Sequence, residues 1–553
     1  MLSSGLSLPN KACHNCRRKR WKCDRSLPTC QKCLSTGSEC LGYGKLFIWN
    51  QGVASRGKMM GKSFADTEPL DGTRKLSKER EAGSHSGSHP TSEPSVINQS
   101  GVVVASQAGL ASPGVDRSIA PVAIYKDPAA REIARALAEP LTAHLDERYR
   151  DYLVHFATKL CADMVAYDGP GKNPMRELVP ATSSFPFLLH IMIANSAFHV
   201  FNISKGPIHI QEEEGHNNAE LIWRNAPNQK FYRDALVAKQ KALGSLAQFL
   251  ATVSPINFDL VLAAILLFVN YDLIESGKEQ WKPHLEGAQK LVSLLGTPPY
   301  ILPGKSMSHL RIYLLSDYLV FSVLGSTFRF SSSAKLFPDT VDIEPILQYA
   351  ETNNYLSCPA PLLRIMLGSF NLSDSIDSEE SLTVQHELKL KELIEMTLSF
   401  DPAAWLQQFK PASPFEDLSK RFHIVSALRS AVCIYLVRFI PITNPLLDPS
   451  GGTAVVSLTG LANDVVQHLS QLSPSDTLYK SITWPLFLAG AESEDPDERA
   501  WIMGSLDTFY AQMHWGYVHT VKRVLEAVWR FKEEGALCWV TEVKKMGGEI
   551  LIA

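Results

Sequence analysis

The sequence predicts a small cysteine-tied head at 13–42, a basic extension and flexible linker at 43–124, and a large all-α body at 125–553, behind a disordered tail at 1–12. Three observations carry that division. Six of the ten cysteines fall between Cys13 and Cys40. The stretch 83–118 is rich in Ser, Gly, His and Pro, as in GSHSGSHPTSEP, the composition of a flexible chain. Beyond residue 125 apolar residues recur at helical spacing, and alternating apolar strands are scarce.

The head comes first. Its cysteines read C-x2-C-x6-C-x6-C-x2-C-x6-C, so the unit C-x2-C-x6-C occurs twice, at 13/16/23 and 30/33/40, offset by seventeen residues. Disulfides belong to oxidising compartments, and MLSSGLSLPNKAC offers no apolar core for an export signal. Redox chemistry through C-x2-C goes with a βαβ pattern, which is absent, and leaves the second unit unexplained. Zinc fits. A structural zinc takes four thiolates in a tetrahedron. Six thiolates satisfy two ions only if two sulfurs are shared, and the repeat makes Cys13 and Cys30, first in each unit, the natural bridges.

The two x6 gaps differ in charge. The first is RRKRWK and the second LSTGSE. Metal geometry does not require that difference, whereas a polyanionic partner does. Lys and Arg donate to guanine O6 and N7 in the major groove, and a short helix carrying Arg17, Arg18, Lys19, Arg20 and Lys22 would bring all five cations to DNA together. The charge balance agrees. Residues 1–62 hold twelve basic side chains against two acids, Asp24 and Glu39, leaving −13 on the remainder of a chain with net charge −3.

This pattern resembles the fungal binuclear zinc-cluster (Zn2Cys6) transcription factors through its six cysteines, the basic run after the second, and Pro28 in the central loop. The resemblance covers about 11–42 and implies two zinc ions, one held by Cys13, Cys16, Cys23 and Cys30, the other by Cys30, Cys33, Cys40 and Cys13. It also implies that Lys19 and Arg20 read the guanine-rich end of a CGG triplet while Arg17, Arg18 and Lys22 contact phosphates. Trp21 stands where the family has an aliphatic or basic residue, and its expected role is packing against the cluster.

In the extension, Lys45, Arg56, Lys58 and Lys62 could add phosphate contacts. The run GKMMGKS falls one residue short of a phosphate-binding loop between its glycines. No sustained heptad runs from 45 to 120, so pairing of two chains through this region is not expected. The pair His85 and His89 reads as part of a polar tract.

In the body, Leu236, Leu243, Leu246 and Leu250 fall on one helix face, as do Leu506, Phe509, Met513, Tyr517, Val521, Val524 and Val528. The longest apolar run, LVLAAILLFV at 260–269, has ten residues. Crossing a bilayer takes about 20, so a buried helix is expected, in a soluble intracellular protein without a membrane partner. YLVHFATKLCADMVAYDGPGKNPMREL, LVLAAILLFVNYDLIESG, WKPHLEGAQKLV and WPLFLAGAESEDPDERAWI resemble the type-2 fungal-specific transcription factor domain, over about 148–546. ECLGYGKLFIWNQGVASRGKMMGK is further similar to the subgroup named for acriflavine sensitivity control.

No catalytic constellation is present: no G-x-S-x-G, H-E-x-x-H or dinucleotide fingerprint. Cys161, Cys358, Cys433 and Cys538 read as core residues. The acids at 212–214 and in ESEDPDER read as solvated loops, and the acidic stretch 373–382 as a surface loop. The expectation is a nuclear, zinc-dependent, sequence-specific DNA-binding regulator of RNA polymerase II genes in a fungus, not an enzyme. Its targets would lie in drug tolerance or a secondary-metabolite cluster. Its partners would be duplex DNA, the transcription machinery or coactivators, and a second copy paired through the helical domain. The alternative is a zinc knob that docks onto another protein without reading bases.

Overall fold

The computed structural model describes residues 11–26, 30–36, 40, 145–169, 172–205, 228–278, 280–300, 307–328, 335–373, 384–438, 457–536, 538–546 and 550–553. Pro28, the linker with Lys45, Arg56, Lys58, Lys62, His85 and His89, the start of the body at 125–144, the acids at 212–214 and nearly all of 373–382 lie outside the described residues. By contacts the chain divides into two compact units, residues 1–116 and 117–553.

The first unit contains two five-residue helices, α1 (His14–Arg18) and α2 (Gln31–Ser35). Each is too short to hold itself in water, and each is capped by a cysteine. Cys13 Sγ accepts from the Cys16 backbone N–H, and Cys30 Sγ from that of Cys33. The basic run is not all helical, which corrects the expectation of five cations on one helix. Lys19 is the C-cap and Arg20 has φ 54°. The Trp21 backbone N–H turns back onto the Cys16 carbonyl, so Arg20 and Lys22 leave the helix axis.

The second unit is helical, and among the described residues it has two isolated bridges and no strand. The helices used below are α3 (Glu147–His155), α4 (Pro186–Lys205), α5 (Gln229–Leu250), α6 (Phe258–Glu275), α7 (His309–Gly325), α8 (Leu418–Val437), α9 (Thr483–Glu492), α10 (Pro496–Met513), α11 (Tyr517–Glu533) and α12 (Trp539–Lys545). Helices α6, α7, α8 and α9 are apolar nearly all round and form the centre, with α6 buried from Val261 to Ile274. Helix α4 is long and apolar enough to cross a membrane, yet most of it is buried within the body. Cys161, Cys358 and Cys433 are core residues as expected, and Cys538 is half-buried.

Two readings of the body change. The periodic run from Leu506 to Val528 is two helices, not one. The chain breaks at His514 (φ 54°) and Gly516, whose N–H donates to the Ile274 carbonyl (2.9 Å). A Cβ at Gly516 would collide with the Glu275 carbonyl oxygen. Within ESEDPDER, Glu492 is not solvated: it is 3% exposed. It accepts from Arg438 Nε (2.6 Å) and from Trp539 Nε1 (2.8 Å), which ties α9 to the ends of α8 and α12.

Candidate nucleic-acid interface

The seventeen-residue repeat is visible in the geometry of the head. The Cys13 N–H points at Cys23 Sγ (3.4 Å) and the Cys30 N–H at Cys40 Sγ (3.5 Å). The Cys16 N–H points at Cys13 Sγ (3.4 Å) and the Cys33 N–H at Cys30 Sγ (3.3 Å). Equivalent residues thus make equivalent bonds in both halves. The sulfurs of Cys13, Cys23, Cys30 and Cys40 each meet a backbone donor that favours negative charge on them.

Two sets of sulfurs lie close enough to hold a metal ion: Cys13, Cys16, Cys23 and Cys30, and Cys13, Cys30, Cys33 and Cys40. Only Cys13 and Cys30 belong to both. Their separation is 3.6 Å, with Cys16–Cys30 at 3.7 Å and Cys13–Cys33 at 3.7 Å. A tetrahedron with metal–sulfur bonds near 2.3 Å has edges of about 3.8 Å, so the spacings suit two tetrahedra sharing the Cys13–Cys30 edge. The chemistry of the donor set agrees. Burial pushes the Cys30 thiol up to about 12, and the Cys13 thiol well above its ordinary value. Sulfurs in that setting ionise when a dication sits among them, so metal binding to such a set releases protons.

Around this cluster, Arg17, Arg18, Lys19, Arg20 and Lys22 are all exposed. Trp21 is half-buried and packs against the cysteine cluster. Lys19 Nζ lies 4.5 Å from its ring centroid and Lys32 Nζ 5.7 Å, so the indole holds two ammonium groups on one side of the head. The corresponding gap after Cys33 begins Leu34, Ser35, Thr36 and carries no cation. Among the described residues, the first gap thus exposes five cations and the second, at Leu34, Ser35 and Thr36, none.

Two residues in the head escaped the sequence reading. Asn15 is 4% exposed and its Nδ2 reaches Cys33 Sγ (3.7 Å), crossing from one half to the other. Asp24 accepts from the Ser26 hydroxyl and from the Lys32 N–H (3.3 Å), which ties the loop after Cys23 to α2. The Ser26 bond, with backbone donors added, holds its carboxyl near 2. Spacing could have pointed to Asp24, since it directly follows a ligand-type cysteine and is one of two acids in a basic segment.

In the body, a cavity of about 30 Å³ is lined by Asp163, Asn270, Asp317, Tyr355, Lys480 and Trp515 among others. Sites for small organic ligands run to about 300 Å³ or more, so this cavity has room for a water or two and not for an effector.

Comparison with known proteins places the chain. Residues 11–47 match the fungal Zn(2)-Cys(6) binuclear cluster domain, and 151–553 match the fungal specific transcription factor domain. The chain belongs to this family of fungal transcription factors. It is a DNA-binding regulator and not an enzyme, and its cluster domain binds two zinc ions. The acriflavine sensitivity control protein acr-2 of Neurospora crassa is 29% identical over 98% of this chain and 97% of its own length. The phomenoic acid biosynthesis cluster-specific transcriptional regulator of Leptosphaeria maculans is 23% identical over 49% of this chain and 51% of its own. No solved structure matches.

Proposed function

We propose that the head is a zinc-dependent reader of CGG-type triplets in duplex DNA. In this reading Cys13, Cys16, Cys23, Cys30, Cys33 and Cys40 hold the two zinc ions. Lys19 and Arg20 contact the guanines, and Arg17, Arg18 and Lys22 seat the module on phosphates. The observation that carries it is the arrangement at the end of α1. The helix stops at Arg18, and Lys19, its C-cap, and Arg20, in a left-handed turn, follow it directly, both exposed. Phosphate contacts position a protein and base contacts specify a sequence, and two cations at a helix end suit the second task.

The reading extends to the whole chain. The head spans 13–42, the basic extension and linker 43–124, and the body 125–553 regulates and pairs two chains. The protein acts in the nucleus on RNA polymerase II genes, together with the transcription machinery or coactivators. The relative matched end to end is named for acriflavine sensitivity, which favours drug-tolerance genes over a secondary-metabolite cluster.

The test is binding of the zinc-loaded chain to a CGG duplex and to a scrambled one. Lys19→Ala and Arg20→Ala are each expected to weaken cognate binding by about 1–3 kcal/mol, with little change on scrambled DNA and unchanged zinc content. Equal losses on both duplexes would remove the base-reading role and put the protein-docking reading in its place.

A further inference from the structure

The second half of the head carries a cation outside its neutral gap. Lys32 lies between Cys30 and Cys33 in α2, and it is exposed. Its counterpart seventeen positions earlier is Asn15, which is buried with its Nδ2 at Cys33 Sγ. The repeat departs from its own symmetry here, so the sulfur framework does not call for a lysine at this position.

The main chain of Lys32 is held in place. Its N–H donates to Asp24 Oδ1 (3.3 Å), the Gln31 N–H donates to Ser26 Oγ (3.2 Å), and its carbonyl accepts from Thr36 Oγ1 (2.8 Å). Asp24 thus engages the backbone of Lys32, while the ammonium lies over the Trp21 ring, 5.7 Å from the centroid. Lys19 Nζ lies 4.5 Å from the same centroid. One indole therefore gathers cations from both halves of the head. Packing against the cysteine cluster could be done by any apolar side chain of similar bulk. Holding ammonium groups needs an aromatic face, and tryptophan offers the strongest. Two like charges gathered on one ring repel until an anion joins them. Duplex DNA supplies closely spaced anions, one charge per about 1.7 Å of its axis.

We propose that Lys32 is a further phosphate-binding residue, contributed by the second half of the head, and that Trp21 is a positioning residue that sets Lys32 and Lys19 on one DNA-facing surface. This deepens the proposed reading of the head as a DNA reader and rests on it. The ring restricts the Lys19 stem while its ammonium keeps donors for guanine, so less freedom is lost on binding. Lys32 reads no base. It ties the second half to the DNA backbone and so fixes the orientation in which Lys19 meets the groove.

The experiment measures binding of the zinc-loaded full chain to a CGG duplex and a scrambled duplex over a range of salt. Wild type is compared with Lys32→Ala, Trp21→Leu and Trp21→Phe, and bound zinc is counted for each. Lys32→Ala is expected to weaken binding to both duplexes by the same factor. It should lower the slope of log affinity against log salt by about 0.9, the share of one phosphate. Trp21→Leu keeps an apolar side chain and removes the ring. It should cut the preference for CGG by about two- to fivefold, the worth of an exposed cation–ring contact, and lower the salt slope, with both zinc ions retained. Trp21→Phe should restore most of the preference and the slope. An unchanged slope in Lys32→Ala would overturn the phosphate contact. A Trp21→Leu chain that matches wild type, or that loses zinc, would overturn the positioning role and leave Trp21 as packing. A wild type with no preference for CGG would overturn the base reading itself, whereas a slope lowered by Lys32→Ala on the scrambled duplex would still support the phosphate contact.

Discussion

Cys13 and Cys30 are the two residues on which the head turns, since each belongs to both sulfur sets. Cys30→Ser is expected to abolish binding of both zinc ions, whereas Cys40→Ser, which touches one set, should leave one ion in place. Native mass spectrometry counts them directly, and a Cys30→Ser chain that kept two ions would contradict the shared-edge geometry. That these cysteines come together was legible because a metal imposes spacing over a few positions. Other single residues were not. Glu492 looked like part of an acidic loop, yet its partners Arg438 and Trp539 lie 54 and 47 positions away. A local pattern cannot announce such a partner. Asn15 was hidden differently, as one polar residue between two cysteines whose role depends on the other half of the repeat.

Helices were legible where apolar periodicity was long, and less so where it ran around the whole helix. The four leucines of α5 do not share one side: Leu246 is buried with Ala235, Ala238 and Ala242, whereas Leu236, Leu243 and Leu250 face out. The break between α10 and α11 was hidden because apolar spacing continued across it. That break matters for a buried histidine pair. His199 Nε2 donates to the Met513 carbonyl (2.7 Å), so its Nδ1 accepts from His155 Nε2 (2.9 Å), joining α3, α4 and the end of α10. Burial, with Lys159 and His514 nearby, pushes His155 down to about 4 and His199 well below 6.5. Both stay neutral while folded and take up protons when unfolded. Their contribution is therefore fully present above about pH 6.5 and is lost as pH falls towards 4. At about 1.4 kcal/mol per unit, His155 alone accounts for roughly 3 kcal/mol. Urea midpoints between pH 7.5 and 5 should fall more steeply for wild type than for His155→Gln/His199→Gln, and parallel slopes would refute this origin.

At the scale of the whole molecule, charge and cysteine are both concentrated at one end. The first 62 residues carry +10 and the rest −13, so the body supplies no general attraction for nucleic acid, and the head with its basic extension must. Fold class was legible for that reason: a metal-spaced, basic head and a helical, acidic body have compositions that cannot be exchanged. What composition cannot encode is the surface on which two bodies would meet, since that depends on which face of a helix its neighbours leave open. The most direct measurement is selection from random duplex DNA with the zinc-loaded full chain. The account predicts enrichment of CGG-type triplets, in pairs at a fixed spacing. Recovery of no preferred sequence, from a chain shown to carry two zinc ions, would contradict it.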